Sequence, residues 1–335
     1  MDGTGLSDRV GPLTAGRKPI VIVGLPRSGT TWVLHALGRS PGVRVVFEPD
    51  NEEQHPAAIH AKHLLGRYPV LAPGDHDRAY HRLWEWIFSG AYEGPRDRLA
   101  LRMLKPGRRD RSFDRKPDLV TRAAAAVARP TAGPVARSTD QQVVAKSVHL
   151  QLALEWLTAE FDVEAIVLLR HPANVLASWM AMNLRITQSS ILETRPDVRS
   201  HYIDRWGVPL PGPDRIEQLS WRIGLLSAAL EEALSRNPRL HVRRHETLCA
   251  DPPNEFRGLF DELGLPWGPR EDTYLQDHDA PGEGFTDFRV SSELAGAWES
   301  TVDDDQLATL RRVLGWFPIT TWNDQDFERG RRDGA

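Results

Sequence analysis

The stretch GLPRSGTTW, Gly24 to Trp32, gathers groups that bind an anion. Gly24 and Gly29 stand at the spacing of the nucleotide phosphate loop, G-x-x-x-x-G-K-[ST]. Thr30 occupies the lysine position of that pattern, and a cationic Arg27 lies three residues earlier. The two glycines let the backbone turn tightly and point N–H groups into a concavity. A helix starting near Thr30 adds its positive N-terminal end. Ser28, Thr30 and Thr31 can donate hydroxyls, and the Arg27 guanidinium is a planar fork suited to two oxygens of a phosphate or sulfate. Each charge-assisted hydrogen bond to an anion held there is worth about 1.5–3 kcal/mol. Phosphoryl transfer from a nucleotide calls for the loop lysine and a Mg²⁺ site. A sulfuryl group carries less charge in flight and needs less metal help. The plain alternative is a glycine-rich strand-to-helix turn, and Arg27 inside the loop argues against it.

Five short apolar runs must position these groups: PIVIVG (19–24), VRVVF (43–47), QVVAK (142–146), AIVLL (165–169) and LHVRR (240–244). They read as buried strands. Helical periodicity follows the first in TTWVLHALGRS. It recurs in 216–234, where Ile216, Leu219, Ile223, Leu226 and Leu230 share a stripe. The stretch DQLATLRRVLGWF near the end is a further amphipathic helix. Strands alternating with helices predict an α/β fold, a parallel β-sheet flanked by helices. Ligands of such sheets bind beyond the carboxyl ends of the strands. Every chemically suggestive residue follows a predicted strand directly, so all of them can meet on one edge. Two segments, 50–140 and 181–215, resist assignment. They read either as solvated surface loops or as a lid or acceptor-binding insertion.

PRSGTTW resembles the 5′-phosphosulfate loop of sulfotransferases that use 3′-phosphoadenosine 5′-phosphosulfate (PAPS). The resemblance implies a P-loop-like fold in which Arg27, Ser28, Gly29, Thr30, Thr31 and Trp32 hold the cofactor. It also implies a second anion site for the 3′-phosphate, an Arg at a strand end and a Ser eight residues on. Arg170 and Ser178 in LLRHPANVLASWM supply that pair, with Pro172 suited to open the helix between them. RRHETLCADPPNEFRGLFDELGLPWGP (243–269) is similar to the family's late strand–loop–helix block. There Glu246 and Asp251 are read as braces and caps. Phe256, Leu259, Phe260 and Leu263 are read as a core stripe. His245 and Cys249 read as structural, since one His and one Cys make no metal site. FRVSSELAGAW (288–298) resembles the last cofactor-facing segment and brings in Arg289 and Ser291 or Ser292.

Sulfuryl transfer needs a base, cations on the sulfuryl oxygens and the leaving phosphate, and alignment of attacker, sulfur and leaving oxygen. A positioned base is worth about 10²–10⁴-fold. Glu48 directly follows the second strand. Counted from Arg27, it falls on the catalytic glutamate of the tyrosylprotein-type branch, which shares the PRSGTT spelling. His149 in KSVH is the other candidate, shifted one residue from the KTH histidine of the small-molecule branch; Asp50 is a third. Lys146 matches the family lysine that contacts the transferring group. Trp84, Trp86 and Trp179 read as core residues, with stacking on an adenine or an acceptor as the alternative.

A formal charge of −4 gives no support to nucleic-acid binding, and 40% hydrophobic with 26% charged residues suits an ordinary buried core. A single cysteine, a polar beginning and no apolar run of about 18 residues lead to the expectation of a cytoplasmic protein without integral membrane association. The expected organisation is a flexible stretch 1–18, one sulfotransferase domain 19–327 with insertions near 50–140 and 181–215, and a flexible tail 328–335. The expected co-substrate is PAPS, leaving 3′,5′-adenosine bisphosphate (PAP), with no metal. The expected acceptor is a small molecule, glycan or lipid bearing a hydroxyl. Two alternatives remain at this point: a Mg-dependent P-loop phosphotransferase, and a catalytically inactive nucleotide-binding module of the same fold.

Overall fold

Each of the five apolar runs forms a strand: β1 (Ile20–Gly24), β2 (Val43–Phe47), β3 (Gln142–Ser147), β4 (Glu164–Leu169) and β5 (His241–Arg244). They pair in parallel in the order β2-β3-β1-β4-β5. The computed structural model describes residues 17–52, 54–92, 98–100, 102, 119–128, 140–183, 191–278 and 295–330. The register sets Phe47 opposite Lys146 and Gly24 opposite Leu168. The segments that leave β1, β2, β3 and β4 therefore emerge on one edge.

Alternation along the strands divides the core into two layers. Ile20 and Ile22 of β1 face α1 (Thr30–Leu37) and the late helices α9 (Pro252–Glu262) and α10 (Pro269–His278), while Val21 and Val23 face the opposite layer. That second layer contains α3 (Arg78–Phe88), α5 (Leu154–Glu160), α6 (Pro172–Ala181), α7 (Arg215–Arg236) and α11 (Asp304–Leu314). Leu219, Ile223, Leu226 and Leu230 of the expected α7 stripe are fully buried, and Ile216 packs at its margin. Phe256, Leu259 and Phe260 are likewise buried on α9, with Leu263 at its margin.

The described parts of 50–140 are not solvated loop. They contain α2 (Pro56–Lys62), α3 and α4 (Leu119–Ala128), and α3 buries Tyr80, Leu83, Trp84 and Ile87 completely. The reading as loop fails because Tyr80, Leu83, Trp84 and Ile87 recur at i, i+3, i+4 and i+7, a helical stripe that the polar residues between them do not break. The basic run RMLKPGRRDRSFDRK (102–116) lies, Arg102 apart, outside the described residues.

One close approach locks the C-terminal layer onto α7. A methyl group added at Gly224 would lie 2.4 Å from the Phe317 ring. Ala in a helix interior gains about 1 kcal/mol over Gly, whereas overpacking costs about 1–3 kcal/mol. Gly224→Ala is therefore expected to lower the denaturation midpoint despite its helix propensity. Adding Phe317→Leu should recover part of the loss, measured as coupling in a double-mutant cycle of denaturant unfolding.

Candidate active site

The anion loop is built by tying up its carbonyls. Gly24 O accepts from Gln151 Nε2 at 2.7 Å, and Leu25 O from both the backbone N–H and the hydroxyl of Ser28. Pro26 O accepts from Trp179 Nε1 at 2.9 Å, and Arg27 O from Arg170 Nη1. Four consecutive carbonyl oxygens, which would repel an anion, are thus each taken by a donor. Downstream, the first-turn amides of α1 have no acceptor within their own helix, and the helix dipole adds positive potential there. Gly29 (φ 87°) sits in left-handed geometry, and an added Cβ would lie 2.4 Å from the His245 ring. Arg27 (φ 74°) takes the same strained region without being glycine. This cradle fits a phosphate or sulfate group.

A lysine does face the loop, but it comes from a different strand. Lys146 on β3 places Nζ 3.0 Å from Thr31 Oγ1, 2.5 Å from Glu48 Oε1 and 4.1 Å from the centre of the Phe47 ring. Its side chain is 3% exposed, and that of Glu48 is 12% exposed. Burial lowers the Lys146 pKa, Glu48 opposes the shift, and Arg27 adds to it. Glu48 is held in left-handed backbone (φ 44°) with its N–H on Lys146 O, and its Oε2 accepts from Asn51 Nδ2 at 2.6 Å.

His149 and Asp50 lie in a separate buried network. His149 Nδ1 is 3.2 Å from Lys62 Nζ, which also donates to Asp50 O at 2.7 Å and to Glu52 Oε2 at 3.0 Å. Burial and the neighbouring Lys62 push the His149 pKa well below its usual value, so the ring is neutral and its Nδ1 accepts from the ammonium. Glu52 is held down to about 2, against its burial, by Lys62 and Arg67. Asp50 is fully buried and accepts from Ser147 Oγ and Tyr80 Oη. Burial raises its pKa. These groups brace the exits of β2 and β3 against α2 and α3.

The second expected anion site touches the first. Arg27 Nε donates to Ser178 Oγ at 3.1 Å, and Arg170 at the end of β4 binds the Arg27 carbonyl. The two sites expected to be separate share a wall. Behind them, buried Glu246 on α8 (His245–Ala250) accepts from His171 N and Asn174 Nδ2, and burial raises its pKa. Asn174 also bonds Ala295 O and Trp298 N. Trp32 is half-buried, its edge against Phe256 at 4.8 Å. His245 lies fully inside under Gly29, neutral through burial and the nearby Arg170. Arg289, Ser291 and Ser292 lie outside the described residues.

The chain from 19 to 269 matches the model of the sulfotransferase family. This chain belongs to that family. Its reaction is therefore sulfuryl transfer, and the phosphotransferase alternative falls away. Among solved structures it is similar to the sulfotransferase domain from the curacin biosynthetic pathway (15% identity, 90% of this chain and 98% of that one, TM-score 0.45). It is also similar to the sulfotransferase domain of the Synechococcus PCC 7002 olefin synthase (14%, 90% and 96%, TM-score 0.46). A third is retinol dehydratase in complex with androsterone and inactive cofactor PAP (15%, 93% and 84%, TM-score 0.40). No curated protein sequence matches significantly.

In this sulfotransferase the two unassigned segments meet. Arg195 donates to Tyr68 O at 2.7 Å and Leu65 O at 2.9 Å, and Tyr202 Oη donates to Leu152 O. Tyr68 packs edge-on against His149. The insertion at 191–206 thus joins the α2–α3 connection beside the exit of β3. Sequence reasoning missed Asn51, Lys62, Gln151 and Arg195. Only Asn51 carried a signal, three residues after Glu48 at a strand exit. Among the described residues no cluster of three His, Cys, Asp or Glu side chains is placed to hold a metal, and no helix is long and apolar enough to cross a membrane.

The buried histidines set an acid limit. His171 Nδ1 accepts from Ala173 N and its Nε2–H donates to Asp326 O, while its ring packs against Trp298, Trp322 and Phe327. Burial lowers its pKa from 6.5 to about 4. The unfolded chain therefore takes up a proton first as pH falls, and stability present above pH 6.5 is lost between about 6.5 and 4. The full shift corresponds to about 3 kcal/mol. His149 and His245 act in the same direction. Urea midpoints should fall between pH 7 and pH 5, and fall less in His171→Phe; equal profiles would contradict the assignment.

Proposed function

We propose that this enzyme transfers SO₃ from PAPS to an acceptor hydroxyl, with Glu48 as base and Lys146 as the cation on the leaving oxygen. The observation that supports it most is the juxtaposition of Lys146 with Glu48 on one side and Thr31 of the anion cradle on the other. The donor supplies an activated S–O bond to a good leaving phosphate. Arg27, the first-turn amides of α1 and the hydroxyls of Thr30 and Thr31 would hold its phosphosulfate. Arg170 and Ser178 would hold its 3′-phosphate, and Trp32 offers a ring face for the adenine.

Glu48 takes the acceptor proton as the acceptor oxygen bonds to sulfur. The bridging S–O bond breaks, and its electron pair leaves with the phosphate oxygen of PAP. Lys146 and Arg27 balance the charge on that oxygen, where preorganised donors are worth most. Of the two base candidates, Glu48 is favoured by its place at the cradle, whereas the His149 imidazole is committed to Lys62. The acceptor would be a hydroxyl compound entering beside the joined segments 65–72 and 191–206. The single cysteine fits a cytoplasmic setting.

The test is transfer of labelled sulfate from PAPS to a panel of phenols, sugars and lipid alcohols. Glu48→Gln should lower kcat by about 10²–10⁴-fold, and His149→Gln should act mainly on stability. Arg170→Ala should weaken PAP binding in calorimetry by at least about tenfold. ATP binding that requires Mg²⁺, or PAP binding without turnover on any acceptor, would count against the reading.

A further inference from the structure

The pair that links Glu48 to Lys146 blocks the chemistry assigned to it. An ammonium has three donors and no acceptor. Here one goes to Glu48 Oε1 at 2.5 Å and another to Thr31 Oγ1 at 3.0 Å. Glu48 is equally committed, because its second oxygen accepts from Asn51 Nδ2 at 2.6 Å. A carboxylate held on both oxygens, one of them by a nearly buried cation, is a poor acceptor for a substrate proton. The two anchors differ in kind. Asn51 lies three residues away on the same loop and is itself buried, so it moves with Glu48. Lys146 hangs from β3 and already spans the gap between the carboxylate and the anion cradle.

We propose that Lys146 is a donor-operated gate on Glu48. With the cradle empty, the ammonium masks the carboxylate. An anion bound at Thr31 draws the ammonium off Glu48, while Asn51 keeps the carboxylate in place with Oε1 open. No proton has a destination until the donor is seated, which makes donor binding precede productive acceptor binding. The same ammonium that unmasks the base then faces the oxygen on which charge develops. This gate rests on the reading of the cradle as the PAPS site.

The gate makes an unusual demand: a substitution that destroys turnover should improve donor binding. In wild type, part of the interaction available to the donor is spent in detaching Lys146 from Glu48. Glu48→Gln keeps the shape and weakens that competitor, so PAP should bind more tightly, by on the order of tenfold. A general charge effect would also tighten binding, and Lys146→Met separates the two. In a Lys146→Met background, adding Glu48→Gln should change PAP affinity by less than about threefold. Titration calorimetry with PAP on all four proteins reads the cycle, and Lys146→Gln substitutes if the Met variant does not fold. Unchanged or weaker PAP binding by Glu48→Gln, or equal tightening in both backgrounds, overturns the gate and leaves the PAPS reading standing. Failure of the wild-type protein to bind PAP overturns that reading and the gate with it.

Discussion

The site depends on a constraint that is easily stated: a loop that receives an anion must turn its carbonyl oxygens to other partners. Here Gly24, Leu25, Pro26 and Arg27 each have the carbonyl satisfied by a donor. An unsatisfied buried carbonyl costs about 1–3 kcal/mol, and one aimed at a bound phosphate would cost binding as well. Three of the four donors come from outside the loop, from Gln151, Arg170 and Trp179. Each belongs to a segment that leaves a neighbouring strand. The parallel sheet is what brings those segments to the same edge, and its register is therefore part of the binding site.

Charge is handled in the same way, by placing buried groups in closed sets. Lys62, Glu52 and Arg67 form one such set with neutral His149, and Lys146, Glu48 and Asn51 form another. Neither lysine is exposed enough to rely on water. The first set holds the exits of β2 and β3 together. The second extends to Thr31 of the glycine loop through Lys146.

The fold was legible because its strands are short β-branched runs with turn residues after them, as in PIVIVG before LPRSGTT. The positions of Arg27, Glu48, Lys146 and Arg170 after strand ends already placed them on one edge. What could not be read was how they pair. Sequence spacing gives Glu48 no hint that Lys146, 98 positions away, will sit on it. It also made two candidate anion sites look separate when Arg27 reaches Ser178 across 151 positions. The segment 50–140 did carry one legible element: Tyr80, Leu83, Trp84 and Ile87 stand at helical spacing in α3, a stripe that the loop reading passed over. Lys62 carries no local signal of its role. Its complete burial follows from tertiary contacts with Glu52 and Asp50 that no local pattern announces.

The provenance of the loop's anchors also has a bearing on synthesis. The glycine turn at 24–29 is synthesised before its anchors: Gln151, Arg170, Ser178 and Trp179 follow it by well over a hundred residues. Until β3 and β4 have docked on either side of β1, the nascent segment has the spelling of an anion receptor but none of its shape. Any stabilisation by a ligand of this loop would then act only on the last stages of assembly.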